Sequence, residues 1–149
     1  MVDFQKELLG DVATDCDRLL SLHYNELALH KEVVKLKVDW ERYASLERLG
    51  KFHVFTARDN DSLIGYAAFL IDTHLHYKDL TVAVNDVLYL DPDRREGWEG
   101  IKLIKFSERE CKDLGAQKIV WRCKTFKDLR PIMHRLGYVD EDISVGKIL

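Results

Sequence analysis

Two arginines lie in the short segment that joins an apolar stretch to a helical pattern. The apolar residues 87–90 come first, and the segment after them reads Asp91-Pro92-Asp93-Arg94-Arg95-Glu96-Gly97-Trp98-Glu99-Gly100-Ile101. The proline turn ends a predicted strand, and the loop opens into an amphipathic helix. The first N–H groups of such a helix and the positive end of its dipole face the arginines. This order predicts a seat for a phosphorylated ligand.

A carboxylate on the same strand is a candidate general base. Asp86 precedes the arginine loop by a few residues and would take a proton from a reacting group, directly or through water. An alternative stays open, in which Asn85 and Asp86 mark a β-bulge or line a crevice as polar residues. Trp98 in the loop is predicted either to stack on a bound ring or to cover the phosphates.

Histidines supply the other candidates for proton transfer. His74 and His76 alternate along an extended segment that ends at Tyr77, and a neutral imidazole suits proton removal near pH 7. Surface placement or a two-histidine metal site are the alternatives, but no carboxylate or cysteine stands at a telling spacing, so we predict no metal. His23 and Tyr24 lie on the first helical pattern, as substrate contacts or as core residues.

Composition limits the class of protein. The chain has 149 residues, 46% of them hydrophobic and 33% charged, as expected for one globular domain spanning residues 1–149. The net charge of −3 does not favour nucleic-acid binding. No apolar run is long enough to span a bilayer and no secretory signal is visible, so we expect a cytoplasmic protein that binds neither membrane nor nucleic acid.

Hydrophobic periodicity predicts the order of elements. Residues 1–9 are a weak first strand, residues 12–27 follow one helix face, and residues 39–49 form a second helix that ends at Gly50. A hairpin of strands 52–58 and 63–71, a third strand 80–90 and a helix ending at Gly115 come next. Strand 118–123, helix 129–136 and strand 143–149 complete an α/β (α+β) fold with a mixed, mostly antiparallel sheet.

The arginine loop and the element order resemble the GNAT acyltransferase superfamily. Its coenzyme A pyrophosphate loop reads Gln/Arg-x-x-Gly-x-Gly/Ala, and Arg95-x-x-Trp98-x-Gly100 is the register we prefer over the one that begins at Arg94. Residues 133–138 resemble the family's C-terminal Tyr-x-x-x-Gly-Phe segment. The histidine-rich segments further resemble GNAT-like proteins of tailed bacteriophages, which would place the protein in the host cytoplasm.

The resemblance implies acetyl-CoA as the cofactor. Its pyrophosphate would contact residues 94–101, and its pantetheine arm would pair with the backbone of Leu88, Tyr89 and Leu90. Lys124 stands where many members have an asparagine near the pantetheine. The family's frequent general acid, a tyrosine, is replaced by Met133, so the thiolate would leave unaided or be protonated by another group such as Tyr138.

Two functions follow from the resemblance. The first is an N-acetyltransferase in which an amine attacks acetyl-CoA directly in a ternary complex, with Asp86, His76 or His74 as base. The amine would belong to a small molecule or a protein, and His23, Tyr24, His74, His76 and Tyr77 would share one acceptor cleft. The second is a non-catalytic GNAT-like protein that binds a protein partner with or without coenzyme A. A homodimer is left open.

Overall fold

The structure, a computed structural model, describes all 149 residues. In chain order the elements are β1 (Val2–Glu7), α1 (Leu9–Ala13), α2 (Asp17–Leu27), α3 (Trp40–Arg48), β2 (Phe52–Asp59), β3 (Ser62–Thr73), β4 (Thr81–Leu90), α4 (Glu99–Asp113), β5 (Lys118–Val120) and α5 (Arg130–Arg135). A single 3-10 turn, Pro92–Arg94, separates β4 from α4. None of these helices combines the length and the apolar character needed to cross a membrane.

The five strands form one sheet in sequence order. β1 to β4 pair antiparallel as a meander, and β5 joins β4 in parallel after the α4 crossover. The predicted mixed, mostly antiparallel sheet flanked by helices is therefore confirmed. A parallel pair needs a long crossover connection, and α4 provides it.

Local chemistry explains the best-defined turns. Asn60 and Asp61 connect β2 to β3, and both have positive φ, 47° and 67°, as a type I′ hairpin turn requires. The Asp39 side chain accepts a hydrogen bond from the Arg42 N–H at 3.0 Å and so caps α3 at its start. Gly50, at φ 70°, ends α3 in the left-handed conformation that glycine adopts without strain.

The sheet buries a separate hydrophobic cluster on each face. One cluster joins α1 and α2 to the sheet through residues such as Val12, Leu19 and Val54. The other packs α4 against the opposite face through Phe55, Phe69, Leu103 and Cys111. Burial of these side chains on both faces fixes the register of the central strands, because a slip of one residue would exchange the two sets.

Three predicted elements differ from the structure. The helix predicted over residues 12–27 is broken between α1 and α2, and Asp15 in the break forms an ion pair of 2.7 Å with Arg58 of β2. The strand predicted over residues 118–123 ends at Val120. The final strand predicted over residues 143–149 is absent, and Ile143 and Val145 are more than nine-tenths exposed. The edge strand β5 has only three residues and offers little pairing surface there.

A β-bulge interrupts β4 at Asp86. Ala68 of β3 pairs with Val87 and the next residue, Phe69, pairs with Asn85, so Asp86 is the extra residue. The buried Asn85 side chain satisfies the disturbed backbone, because its Nδ2 donates to the carbonyls of Val87 at 2.8 Å and Ala68 at 3.2 Å. One of the two sequence alternatives for this pair, the bulge, is thus present.

Asn85→Ala should destabilise the protein by on the order of 1–3 kcal/mol, because two buried carbonyls lose their donor. Urea unfolding followed by circular dichroism measures the change. Asn25→Ala, an exposed asparagine on α2, is the matched control and should stay within about 0.5 kcal/mol of the parent. Equal stability of the two variants would show that the side chain does not hold the bulge.

Candidate functional site

Beyond the bulge, β4 has no strand on its β5 side. β5 pairs only with residues Val82, Ala83 and Val84, whereas β3 pairs with β4 as far as Leu90. Leu88 to Leu90 therefore form an open backbone edge between Asp86 and the start of α4. An extended ligand with amide groups can pair with such an edge as an added strand.

The arginine loop lies at the end of this edge, and both arginines have carboxylate partners. Arg94 is 2.8 Å from a carboxylate oxygen of Asp59, at the hairpin turn. Arg95 makes two bonds to Glu26 of α2, at 2.6 and 2.8 Å, and its Nε donates to the Leu90 carbonyl at 2.9 Å. Arg95 thus fastens α2 to the end of β4.

Glu26 is the acidic centre of this junction. Its carboxylate accepts bonds from Arg95 and from the Tyr89 hydroxyl, and Lys127 lies 3.6 Å away. The Arg95 bonds are the main reason that its pKa is lowered to about 2, so the group is charged at neutral pH. Burial together with the bond to Glu26 raises the pKa of Tyr89 to about 12.

The N-terminus of α4 presents its backbone to the same end of the sheet. Trp98 precedes the helix, has no side-chain cap, and is 69% exposed, so its indole is accessible to a ligand. The Glu99 carboxylate folds back over the Cα of Gly97. A Cβ added at Gly100 would sit 3.6 Å from Leu90, an ordinary contact, so a close approach does not require glycine there.

A cavity of about 220 Å³ lies between α1, α2, α3 and the face of the sheet beside this edge. Its walls are mostly apolar and include Val12, Leu20, Trp40, Val54, Ala68 and Val87. His23, Tyr24 and Asp86 also line it, so three of the predicted site residues meet in one place. Tyr24 donates its hydroxyl to the Val34 carbonyl at 2.6 Å and so holds the α2–α3 connection against the wall.

Two hydrogen-bonded pairs supply the polar groups of this cavity. Tyr43 of α3 donates to Asp86 Oδ2 at 2.6 Å and so fixes the carboxylate. Burial, followed by the Asp86 bond and charge, raises the pKa of Tyr43. His23 Nδ1 is 2.8 Å from the Tyr66 hydroxyl, and its ring stacks on Tyr89 at 4.8 Å.

His23 is neutral at pH 7 because of its surroundings. Burial is the main cause of the decrease of its pKa to about 4, and the charge of Lys124 adds to the effect. Lys124, predicted to contact the coenzyme, is thus close enough to His23 for its charge to act on the ring. Tyr66 occupies Nδ1 of His23 and the ring is stacked on Tyr89, whereas one oxygen of Asp86 has no side-chain partner, so Asp86 is the better placed candidate for proton removal.

The structure corrects the prediction of one acceptor cleft. His74, His76 and Tyr77 lie in the β3–β4 loop and are not part of the cavity wall. At about 3.3 Å per residue, the end of β3 at Thr73 is about 17 Å along the strand from Ala68. The His76 N–H donates to His74 Nδ1 at 3.1 Å, and the His74 ring packs on Tyr77 at 4.8 Å. The length of β3 thus places these three residues apart from His23 and Tyr24, with which they were predicted to share a cleft.

The residues considered as general acids lie outside the cavity. Met133 is buried, and the Tyr138 hydroxyl donates to Glu108 of α4 at 2.6 Å, on the α4 side of the molecule. Neither residue lines the cavity. No three histidine, cysteine, aspartate or glutamate side chains are grouped as metal ligands.

Comparison with known proteins identifies the family. The model of the acetyltransferase (GNAT) family matches residues 16–138, which is most of the chain. The chain belongs to the GNAT acetyltransferase family. No curated protein sequence matches the chain significantly.

Solved structures share the GNAT fold at low sequence identity. An aminoglycoside acetyltransferase from an uncultured soil metagenomic sample, in complex with sisomicin, has a TM-score of 0.75 at 15% identity, over 99% of this chain and 96% of that one. Glucosamine-6-phosphate N-acetyltransferase from Arabidopsis thaliana has a TM-score of 0.74 at 15% identity, over 99% and 98%. A predicted acetyltransferase with acetyl-CoA from Clostridium acetobutylicum has a TM-score of 0.71 at 17% identity, over 99% and 96%.

Sequence reasoning missed three residues of this candidate site. Tyr43 and Tyr66 supply two of the polar groups of the cavity, and Glu26 holds Arg95. Tyr43 was hidden in an ordinary amphipathic helix and Tyr66 in an apolar strand. Glu26 and Arg95 are 69 residues apart, and no local pattern connects them.

His23 should make the protein sensitive to acid. An unfolded chain protonates this histidine near its ordinary pKa of 6.5, whereas the folded chain does so only near 4. The contribution of His23 to the free energy of unfolding is therefore fully present above pH 6.5 and is lost as the pH decreases towards 4. Between pH 7 and 5 the loss from this group should be on the order of 1–2 kcal/mol.

Urea unfolding of the parent and of His23→Gln at both pH values measures this contribution. Glutamine does not titrate, so the variant should lose less stability than the parent over the interval. His76→Gln removes an exposed histidine and should keep the parent's pH dependence. An identical pH dependence in His23→Gln and the parent would contradict the assignment.

Proposed function

We propose that the protein is an N-acetyltransferase that moves an acetyl group from acetyl-CoA to an amine by direct attack in a ternary complex. The observation that carries this proposal is the position of Asp86. The bulge turns its carboxylate into the cavity at the point where the open edge of β4 begins. An acyl donor held along the edge and an amine held in the cavity would meet there, and proximity alone supplies much of the rate.

The residues around the β4 edge fit coenzyme A. The backbone of Leu88, Tyr89 and Leu90 would pair with the amides of the pantetheine arm, and the N–H groups at the start of α4 would bind the pyrophosphate. Bound in this way, acetyl-CoA supplies an activated acetyl thioester. Trp98 is exposed beside the helix start and would cover the phosphates or stack on the adenine.

Asp86 would prepare the amine for attack. An ammonium group has no lone pair, so it must lose a proton before it can act as a nucleophile. The Tyr43 hydroxyl bonds one oxygen of Asp86, and the other remains available to the amine or to a bridging water. His74 and His76 remain alternative bases only if the acceptor reaches the β3–β4 loop.

No acid is needed at the leaving group. A thiol has an ordinary pKa of about 8.5 and departs as a thiolate without a donor at neutral pH. Met133 cannot donate a proton, and Tyr138 is committed to Glu108. The thiolate would therefore leave unaided or take a proton from water.

A specific observation favours a second candidate, a GNAT-like protein without catalysis that binds a protein partner. Arg94 and Arg95 are each neutralised by a carboxylate, and Glu99 lies over the loop where the pyrophosphate would sit. Coenzyme A would have to compete with these carboxylates. The resemblance to phage-encoded members and a cytoplasmic location remain predictions under either candidate.

Titration calorimetry with coenzyme A tests the phosphate seat. Arg95→Ala should weaken binding by on the order of 1–3 kcal/mol, the range for a charge-assisted bond, and Arg94→Ala should weaken it less. Glu26→Gln is the matched variant, because it keeps the size of the side chain and releases Arg95 from its charge partner. It should bind coenzyme A at least as tightly as the parent. Unchanged affinity in both arginine variants and in the double variant would exclude both arginines from the phosphate seat.

Asp86→Asn should lower the rate of acetyl transfer by roughly 10²–10⁴, the usual contribution of a general base, and should keep the affinity for coenzyme A. Release of coenzyme A thiol from acetyl-CoA with a panel of amines measures the rate. Asp72→Asn, on β3 and paired with Lys51 outside the cavity, is the control and should keep the parent's rate. Parent-level turnover in Asp86→Asn at all pH values would assign the base to His74, His76 or ordered water.

A further inference from the structure

The cavity beside Asp86 has an uneven distribution of charge. Asp86 is its one charged wall residue, and no lysine or arginine contributes to the wall. Asp86 makes no ion pair within the chain, and its one hydrogen bond to a side chain comes from the neutral Tyr43. A carboxylate on an apolar wall with no cation beside it favours a ligand that brings its own positive charge.

Most of the other polar groups of the wall already have partners, and only the Nε2 of His23 and the indole N–H of Trp40 have none. His23 and Tyr66 bond each other, and Tyr24 bonds a backbone carbonyl. His23 is neutral at pH 7, so it adds no attraction for an anion. A ligand rich in hydroxyl groups would lose its water on entry and find few partners, which is costly. A phosphate group would in addition face Asp86.

The volume of the cavity suits a small ligand. An apolar protein cavity of roughly 150 Å³ holds one benzene ring. The cavity here, at about 220 Å³, has room for such a ring and a short aminoalkyl chain. The aromatic side chains Trp40 and Phe52 in its wall suit a flat apolar group.

We infer that the acceptor is a small apolar primary amine, in which an aromatic or branched hydrocarbon group fills the cavity and the ammonium group binds Asp86. This inference rests on the proposed acetyl transfer and names its substrate class. It separates the protein from acetyltransferases whose acceptors are polyhydroxylated or phosphorylated amino sugars, although such proteins share its fold.

Titration calorimetry with 2-phenylethylamine, 2-phenylethanol and glucosamine 6-phosphate tests this inference, in the presence and absence of coenzyme A. The amine should bind about tenfold or more tightly than the alcohol, because only the amine makes a charge-assisted bond to Asp86. Glucosamine 6-phosphate should bind more weakly still. Asp86→Asn should reduce binding of the amine about tenfold, while Asp72→Asn should leave it unchanged.

A second pair of variants tests the apolar part without touching Asp86. Leu36 is a partly exposed wall residue in the α2–α3 connection, and Leu36→Trp would fill the cavity from its mouth. This variant should weaken binding of 2-phenylethylamine about tenfold. Val33→Trp is the matched control, because Val33 is an exposed apolar residue of the same connection that does not line the cavity.

Three results would overturn the inference: glucosamine 6-phosphate binding as tightly as the amine, equal binding of amine and alcohol, or unchanged binding in Leu36→Trp. Failure of the proposed function gives a different pattern. Binding of 2-phenylethylamine with the expected variant effects but without thioester turnover would refute acetyl transfer and keep the ligand class. Turnover of glucosamine 6-phosphate without turnover of 2-phenylethylamine would do the reverse.

Discussion

The extra residue in β4 is the constraint on which the rest of the site depends. Side chains alternate across a regular strand, so residues an odd number of positions apart face opposite sides. Ala83 and Leu88 are five positions apart, yet both pack into the cluster under α4. The bulge at Asp86 makes this possible, because one additional residue shifts the alternation by one position and so places Leu88 on the same face as Ala83. The strand can thus bury apolar side chains on both sides of the interruption while Asp86 enters the cavity.

The bulge also separates two uses of the β4 backbone. Before it, residues Val82 to Val84 pair with β5, the strand that follows the α4 crossover. After it, the strand continues along β3 but has no partner on its other side. A free strand edge is normally a liability for aggregation. Here it is short, it begins at a candidate catalytic carboxylate, and it ends at a helix N-terminus, so a ligand that pairs with it would have both ends recognised.

The stability of the fold and the binding of an anion would compete for the same arginines. Arg95 joins α2 to the end of β4 through Glu26 and the Leu90 carbonyl. These bonds are partly exposed, so each contributes modestly to stability, but together they close the sheet end beside the cavity. A pyrophosphate would offer Arg95 a more highly charged partner than Glu26. The backbone N–H groups of α4 have no such internal competitor apart from Glu99, and they would carry most of the anion binding.

Local sequence signals predicted most of the fold and only part of the site. The Asn60–Asp61 turn, the Asp39 cap and the glycine stops are short-range features, so the hairpin and α3 could be placed from sequence. The final strand failed because its alternation of apolar residues said nothing about whether a neighbouring strand exists. The partners of Arg95 and Asp86 depend on contacts between residues far apart in the chain. Composition and periodicity contain no information on such pairs.

The wall of the cavity beside Asp86 would act on a bound amine in two opposite ways. An apolar cavity disfavours the charged ammonium form, whereas the adjacent Asp86 favours it. A hydrocarbon group on the amine contributes binding free energy through burial and so offsets the cost of moving the charge out of water. A ligand without that group would have to rely on Asp86 alone and would remain solvated. In the proposed reaction the apolar wall would select the hydrocarbon group of the amine, and Asp86 would hold the nitrogen where its proton can be removed.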